Sequence, residues 1–307
     1  MLTNDLPDWL PAWCLDHLGG EPAHVLFLLR QTSTVYGLRL TDGTEAVVKA
    51  RTDDGRATSC VAAQARLAER GFSCARPLTP VAGVGSLAVH AEEHRPGGHV
   101  LHGDSPDVAV RYAEVFARLM TALADDVTVA PPLPNPRWVR WDHTGPGVWS
   151  AIRLLDERDQ SVVPAYVVDT ARRARTRILA AGLPCVLGHA DFEAQNLRWH
   201  GLEVWAVHDW DSLAWLPEAA LAGAASGAFA NAGPPTLAPI ESSAAFLAAY
   251  QDIRGRPFTT AEQQIAWAAS LWPAAHNARW EALHGHTPVA GDALRAQAPE
   301  RLRRANA

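Results

Sequence analysis

Lysine is all but missing from this chain. Of its 307 residues 27 are Lys or Arg, and Lys49 is the single lysine. Cysteine is sparse too: Cys14, Cys60, Cys74 and Cys185 form no C-x-x-C pair and follow no regular spacing. That excludes a zinc ribbon or a dithiol redox motif and fits reduced thiols in a cytoplasmic protein. Long apolar runs are absent. The least polar stretch, "LAGAASGAFANAG" at 221–233, consists of small residues and is too short to cross a bilayer. The opening "MLTNDLPDWLPAWC" lacks the basic start and apolar run of a signal peptide, so no membrane segment is expected. With a net charge of −6 and no basic block before Arg301–Arg304, a nucleic-acid partner is not expected either. Those last arginines read as a frayed, solvated end. The assembly expected is a monomer or a homodimer.

What the chain does have begins around its one lysine. Arginine presents a broad planar fork and lysine a compact point charge on a thin stem, so a site shaped for an ammonium would not accept a guanidinium. Residues 35–40 and 45–50 are β-rich runs joined around "TDGT", a strong hairpin signal that puts Lys49 near the end of the second strand. "RATSCVAAQARLAERG" then reads as a helix, with Thr58 or Ser59 as N-cap and Gly71 as its stop. Short strands are expected near 76–81 and 86–91, before "RPGG" at 95–98 breaks regular structure. Beyond it the spacing predicts helices over 106–124 and roughly 165–181, short strands near 197–199 and 203–208, and helix again from about 241. A small β-rich part thus precedes a larger, mostly helical one.

Chemistry concentrates in "GHADFEAQNLRWHGLEVWAVHDWDSL", residues 188–213. His189, Asp191 and Asn196 stand on the loop before two short strands, and Asp209 and Asp211 follow them. A loop–strand–turn–strand–loop returns Asn196 and Asp209 to one end of a hairpin. Oxygen ligands from two such loops suit a hard cation such as Mg²⁺, which takes its remaining ligands from water and phosphates. Asp191, five residues before Asn196, could orient a hydroxyl and accept its proton.

Here the sequence resembles the kinase-fold small-molecule phosphotransferases, the group of aminoglycoside phosphotransferases and choline-kinase-like enzymes. Their catalytic loop runs H-x-D-x-x-x-x-N, with a metal-binding Asp about 13 residues after the Asn. This chain has His189, Asp191 and Asn196, then Asp209, a spacing of 13. The resemblance implies an α+β, two-lobed protein-kinase-like fold: a small β-rich N-lobe over 1–92, a hinge at 93–98 and a larger, mostly helical C-lobe over 99–307. It implies an ATP- and Mg²⁺-dependent transfer of the γ-phosphoryl group to a hydroxyl of a small molecule, with Asp191 as base and Asn196 and Asp209 as metal ligands. Lys49, closing "AVVK", takes the place of the strand lysine that pairs with nucleotide phosphates. Ser33 and Thr34 would offer hydroxyls and N–H groups in the phosphate-covering loop, and backbone near Glu92 and His94 would meet adenine.

Two departures stand out. The helix after Lys49 has no acid before Glu69, so the expected Lys–Glu pair lacks its helix partner, and Gln64 is the inward polar candidate. The family's P-x-x-D-L after the metal Asp reads "PEAAL" here. The acceptor suggested is an aminoglycoside-like antibiotic, with choline-like, amino-acid and sugar acceptors open. The rival is a nucleotide-binding regulatory pseudokinase without turnover, favoured by the missing helix acid. "HAEEH" at 90–94 imitates an inverted zinc motif but has no room for the helix that motif needs. Asp211 reads either as a second metal-side acid or as a solvated loop acid. The tryptophans of the helical part read mostly as core, with one or two walling an acceptor pocket, and His276, Asn277 and Glu281 as acceptor contacts or exposed surface.

Overall fold

The computed structural model describes residues 6–30, 33–230 and 236–307. Its first compact unit comprises Met1–Gly97 together with Asp126–Pro134 and Ala206–Asp211. Helix α1 (Trp9–Leu18) leads into an antiparallel sheet of β1 (Pro22–Arg30), β2 (Thr34–Leu40), β3 (Glu45–Thr52), β4 (Ala82–Val84) and β5 (Leu87–Glu93), ordered β1-β2-β3-β5-β4. Side chains alternate across a strand with period two, and the two faces of this sheet differ sharply. One face buries Leu38, Leu40, Val48, Ala50, Val89 and Ala91 against Leu10, Trp13 and Cys14 of α1. The other carries Lys49 and Arg51 on β3 beside His90 and Glu92 on β5. Helix α2 (Ala57–Glu69) connects β3 to the rest of the sheet. Burial drives the Cys14 and Cys74 thiols up to about 12, so both are inert at neutral pH.

The β2–β3 hairpin and α2 form where the sequence predicts them. Helix α2 starts at Ala57, ahead of Thr58 and Ser59, and its N-cap Arg56 makes no side-chain cap. The strand expected at 76–81 does not form. Pro77 and Pro80 have no N–H to give a ladder, so Pro77 makes one bridge to Glu92 and the Thr79 hydroxyl accepts the Ala91 N–H at 2.9 Å. Regular pairing resumes only at β4. Residues 206–211 are tied to this unit by a parallel bridge between Cys74 and Val207, by Trp210 meeting Phe72 edge-on, and by an Arg51–Asp211 ion pair at 3.0 Å. The first unit is therefore discontinuous in sequence.

The second unit comprises Gly98–Asp125, Asn135–Trp205 and Ser212–Ala307. Its elements are α3 (Pro106–Asp126), α4 (Arg153–Asp156), α5 (Ala165–Ala180), β6 (Cys185–His189), β7 (Leu197–His200), β8 (Glu203–Val207), β9 (Leu213–Pro217), α6 (Glu218–Ala228), α7 (Ile240–Arg254), α8 (Thr260–Ser270), α9 (Trp272–His284) and α10 (Val289–Ala305). The last residue of α3 and the last two of β8 are the points where these elements reach the first unit's segments. An aromatic cluster of Tyr112, Phe116, Phe192, Phe229, Phe246 and Tyr250 forms its core.

The small-residue stretch seen in the sequence is largely α6, buried along its length. A Cβ on Gly223 would lie 2.1 Å from the Ala266 carbonyl oxygen, and one on Gly227 2.3 Å from that of Ser270. Helix α6 thus meets α8 backbone to backbone, which is why its residues are small. No helix among the described residues is long and apolar enough to cross a membrane. Gly223→Leu must force these helices apart and is expected to cost about 1–3 kcal/mol of stability. A urea melt whose midpoint stayed unchanged would contradict this packing.

The expectation of a frayed arginine tail is wrong. Those residues belong to α10, and Arg301 is fully buried. Its guanidinium donates to the hydroxyls of Ser243 and Ser270, the Gln297 side chain and the Ala238 carbonyl. Arg303 and Arg304 face out and pair with Glu300. A run that reads as uniformly basic is divided by the helical period into one inward and two outward cations.

Candidate active site

The first unit holds the predicted phosphate-binding lysine. Lys49 is 8 % exposed, and its Nζ lies 2.9 Å from Glu92 Oε1. The register of β3 against β5 sets Lys49 opposite His90 and Glu92 one pair further along the same face. The second Glu92 oxygen accepts from Gln64 Nε2 at 2.9 Å, and the same amide nitrogen donates to the Ala75 carbonyl at 2.8 Å. Gln64 is thus not the direct partner of Lys49. It reaches the lysine through Glu92, whose side chain rather than its backbone carries the contact. Burial pushes the Glu92 carboxyl up, but the Lys49 charge and the bonds from Gln64 and Lys49 outweigh it and hold the group below its ordinary range. Burial works against the Lys49 charge in the same way and is overcome by Glu92, then by Asp211 and Asp209, so its pKa rises. Burial, with the lysine beside it, drives His90 down to about 4, so it is neutral at pH 7.

Asp209 and Asp211 sit on the returning 206–211 segment of this unit. Asp209 has φ of 59°, the left-handed region that a side chain other than glycine seldom enters. Such strain persists only where surrounding structure enforces it, and it gathers at functional sites. Asp211 is not a solvated acid: its carboxylate is part-buried and paired with Arg51, two residues beyond Lys49 on the same strand face.

Of the predicted nucleotide residues, Lys49, Gln64 and Glu92 are joined, and Ser33, Thr34 and His94 make none of these contacts. Thr34 opens β2 opposite Ala50, and Ser33 lies at a bend before it. Gln31 and Thr32, in the predicted phosphate-covering loop, lie outside the described residues. His94 follows β5, and its Nδ1 is 2.8 Å from Glu45 Oε2. The zinc-like "HAEEH" lies mostly on β5, and among the described residues no group of three or more His, Cys, Asp or Glu side chains could hold a metal.

The second unit holds the predicted catalytic loop. Strand β6 delivers His189 by pairing with β9, and a Cβ at Gly188 would press to 2.5 Å from Leu221 and 2.9 Å from Met120. Phe192 anchors the loop in the core against Phe116, 4.9 Å between ring centres. Between these two anchors Asp191 donates its N–H to His189 Nδ1 at 3.3 Å, so His189 braces the loop through a nitrogen that carries no proton. Asn196 Nδ2 donates to the Asp191 carbonyl at 2.8 Å and to its Oδ2 at 3.0 Å. The amide therefore fixes the carboxylate's orientation and commits its N–H side to Asp191, leaving the side-chain oxygen as the atom that can only accept. Taken singly, the amide oxygen of Asn196 and the carboxylate of Asp209 are hard donors of the kind Mg²⁺ takes.

The same unit contains a cavity of about 300 Å³ lined by Trp149, Asp156, Gln160 and Arg279 among others, at the lower end of small-molecule pockets. Trp141, Trp267 and Trp272 are core, whereas Trp280 is 41 % exposed. Glu281 accepts the Ala290 and Gly291 N–H groups at the start of α10, a structural task. His276 is part-buried against Trp149 rather than exposed.

Glu92 as the lysine's partner and Arg51 as the acid's were both missed by the sequence reading. The signal for both was strand alternation. In "LAVHAEE" the polar His90 and Glu92 fall on one face and Val89 and Ala91 on the other, and in "VKAR" Lys49 and Arg51 share a face.

No family model matches the sequence, and no curated protein matches it. Solved structures do match over nearly the whole chain. An amicoumacin kinase in complex with AMP-PNP, Ca²⁺ and Ami is 13 % identical, with a TM-score of 0.65 over 92 % of this chain and 89 % of that one. A spectinomycin phosphotransferase in complex with ADP and spectinomycin is 10 % identical, with a TM-score of 0.57 over 98 % and 94 %. An aminoglycoside phosphotransferase from Alicyclobacillus acidocaldarius is 12 % identical, with a TM-score of 0.54 over 99 % of each chain. At such identities the likeness is one of fold, and in fold this chain stands with the kinase-fold small-molecule phosphotransferases.

Proposed function

We propose that the protein transfers the γ-phosphoryl group of ATP to a hydroxyl of a small molecule. The observation that carries this reading is the Asp191–Asn196 clamp: a carboxylate aimed by an amide whose oxygen is left for a cation. In the proposed reaction Asp191 orients the acceptor hydroxyl and takes its proton. The hydroxyl oxygen forms a bond to the γ-phosphorus while the bond from that phosphorus to the β–γ bridging oxygen breaks, leaving ADP. Lys49 holds the α- and β-phosphates, and Asn196 and Asp209 would hold Mg²⁺. Mg²⁺ held by them would supply charge that neutralises the nucleotide's phosphates. Catalysis of this kind is positioning and charge stabilisation, which a fixed carboxylate and a buried ammonium are suited to provide.

The regulator reading drew its strength from a lysine without an acid. Glu92 supplies one, so that argument no longer favours it. For the acceptor we infer an antibiotic-like polyhydroxy compound. The amicoumacin and spectinomycin enzymes share the fold, and a net charge of −6 tolerates a cationic ligand. The Trp149-lined cavity is the candidate pocket.

Titration calorimetry with ATP, with and without Mg²⁺, tests the site. Wild type is expected to bind in a magnesium-dependent way and Asp209→Ala at least about tenfold more weakly, the loss of a charged ligand. A folded, nucleotide-free wild type that binds no ATP overturns the reading. Binding once seen, mass spectrometry of candidate hydroxyl compounds for the gain of one phosphate identifies the acceptor.

A further inference from the structure

Kinase-like folds hold the strand lysine with a carboxylate from the following helix, and moving that helix makes or breaks the pair. Nothing on α2 can do this here. Its one acid, Glu69, lies in the last turn and pairs with Arg66 at 2.9 Å on the exposed side. The inward position is Gln64, buried and neutral.

We propose that Glu92 on β5 is the positioning residue for Lys49, replacing the helix carboxylate, with Gln64 serving as its brace from α2. The proposal rests on the phosphate-binding role given to Lys49 above. Both carboxylate oxygens are engaged, one by the ammonium at 2.9 Å and the other by the amide at 2.9 Å. Ammonium and carboxylate ride on adjacent strands whose register runs unbroken from Ala46↔Glu93 to Thr52↔Leu87. Their separation is therefore fixed by backbone ladder bonds, not by the docking of a helix.

The surrounding charges support a dedicated holder. The neighbouring cation Arg51 is engaged by Asp211, His90 is neutral, and Asp209 and Asp211 act on the lysine by charge. A buried ion pair costs desolvation that well-packed apolar side chains would avoid, so its presence at the middle of a sheet points to use rather than to stability. The consequence is a lysine that stays aimed whatever α2 does. The helix-borne on–off device of kinase-like folds is absent, and α2 contributes only the Gln64 bond.

The single lysine makes the test direct, because lysine labelled with ¹³C at the ε carbon gives one side-chain signal for the whole chain. In wild type that signal should titrate above the ordinary lysine value of about 10.4. Glu92→Gln, which keeps shape and loses charge, should move the midpoint down by at least about one pH unit and weaken Mg²⁺–ATP binding at least about tenfold, one unit being a tenfold change in proton affinity. Gln64→Ala should shift both far less. Restoring the charge from the helix in Gln64→Glu/Glu92→Gln should recover part of the affinity, which a merely structural role for Glu92 would not produce. A Glu92→Gln protein with the wild-type midpoint and nucleotide affinity overturns the proposal while leaving the phosphotransferase reading intact. A wild type that binds no nucleotide, with its lysine still held high, overturns that reading and with it the phosphate-positioning role. If the variants do not fold, the wild-type midpoint decides alone: a value at or below the ordinary one means that the Glu92 charge does not outweigh the burial of the ammonium, which overturns the proposal.

Discussion

Asp191→Ala is expected to lower turnover by about 10²–10⁴-fold, the usual contribution of a positioned acid–base group. The structure makes this carboxylate hard to replace. Its orientation is set by Asn196 bonding both its carbonyl and its Oδ2, and its backbone N–H is held by His189. Water drifting into the vacated space would have neither the basicity nor the fixed aim. The loss should fall on kcat, with the KM for ATP little changed, because the group acts on the hydroxyl proton during transfer and not on the bound nucleotide. Asp191→Asn should lose nearly as much, since it keeps the shape and removes the base. Both variants should melt like wild type, because Phe192 and Gly188 anchor the loop from either side. Near wild-type turnover in either variant would remove Asp191 from the chemistry.

The largest stability loss is expected far from that loop, at Arg301→Ala, about 3–5 kcal/mol by comparison with the truncation of other large buried side chains. Burial, with the nearby Arg304 charge, pushes this guanidinium down to about 9, the mark of a cation held in a nearly dry place. It has no carboxylate at ion-pair distance among the bonds it makes. Neutral oxygens from Ser243, Ser270, Gln297 and Ala238 surround it, and the Trp267 ring lies 5.6 Å away. Truncation leaves those acceptors without a donor and opens a cavity, and both terms destabilise. The loss should appear as a lower denaturant midpoint with little change in slope. An unchanged midpoint would mean that this shell re-forms its bonds without the arginine.

What could be read in advance was local. The hairpin around "TDGT" and the loop carrying Asp191 and Asn196 between two strands are short-range patterns, and both form where predicted. Glu92 could not be assigned that way, because its link to Lys49 depends on which register β3 and β5 adopt. Arg301 was misread because composition showed a basic cluster while the helical period decided which member turns inward. Helix α1 and β1 were not anticipated, although together they supply one wall and one edge of the first sheet. The missing strand near 80 followed from two prolines that the apolar pattern had outweighed.

Lys49 has one more consequence. A protease that cuts only after lysine has a single target bond in this chain, between Lys49 and Ala50. That bond lies in β3, which is flanked by β2 and β5 and buried on both faces. Cleavage there requires the sheet to open, so when reclosing is fast the rate of the one cut reports the free energy of opening that strand. Any ligand that grips this unit will slow it. The chain carries its own single-site reporter for occupancy, readable as the appearance of two fragments on a gel.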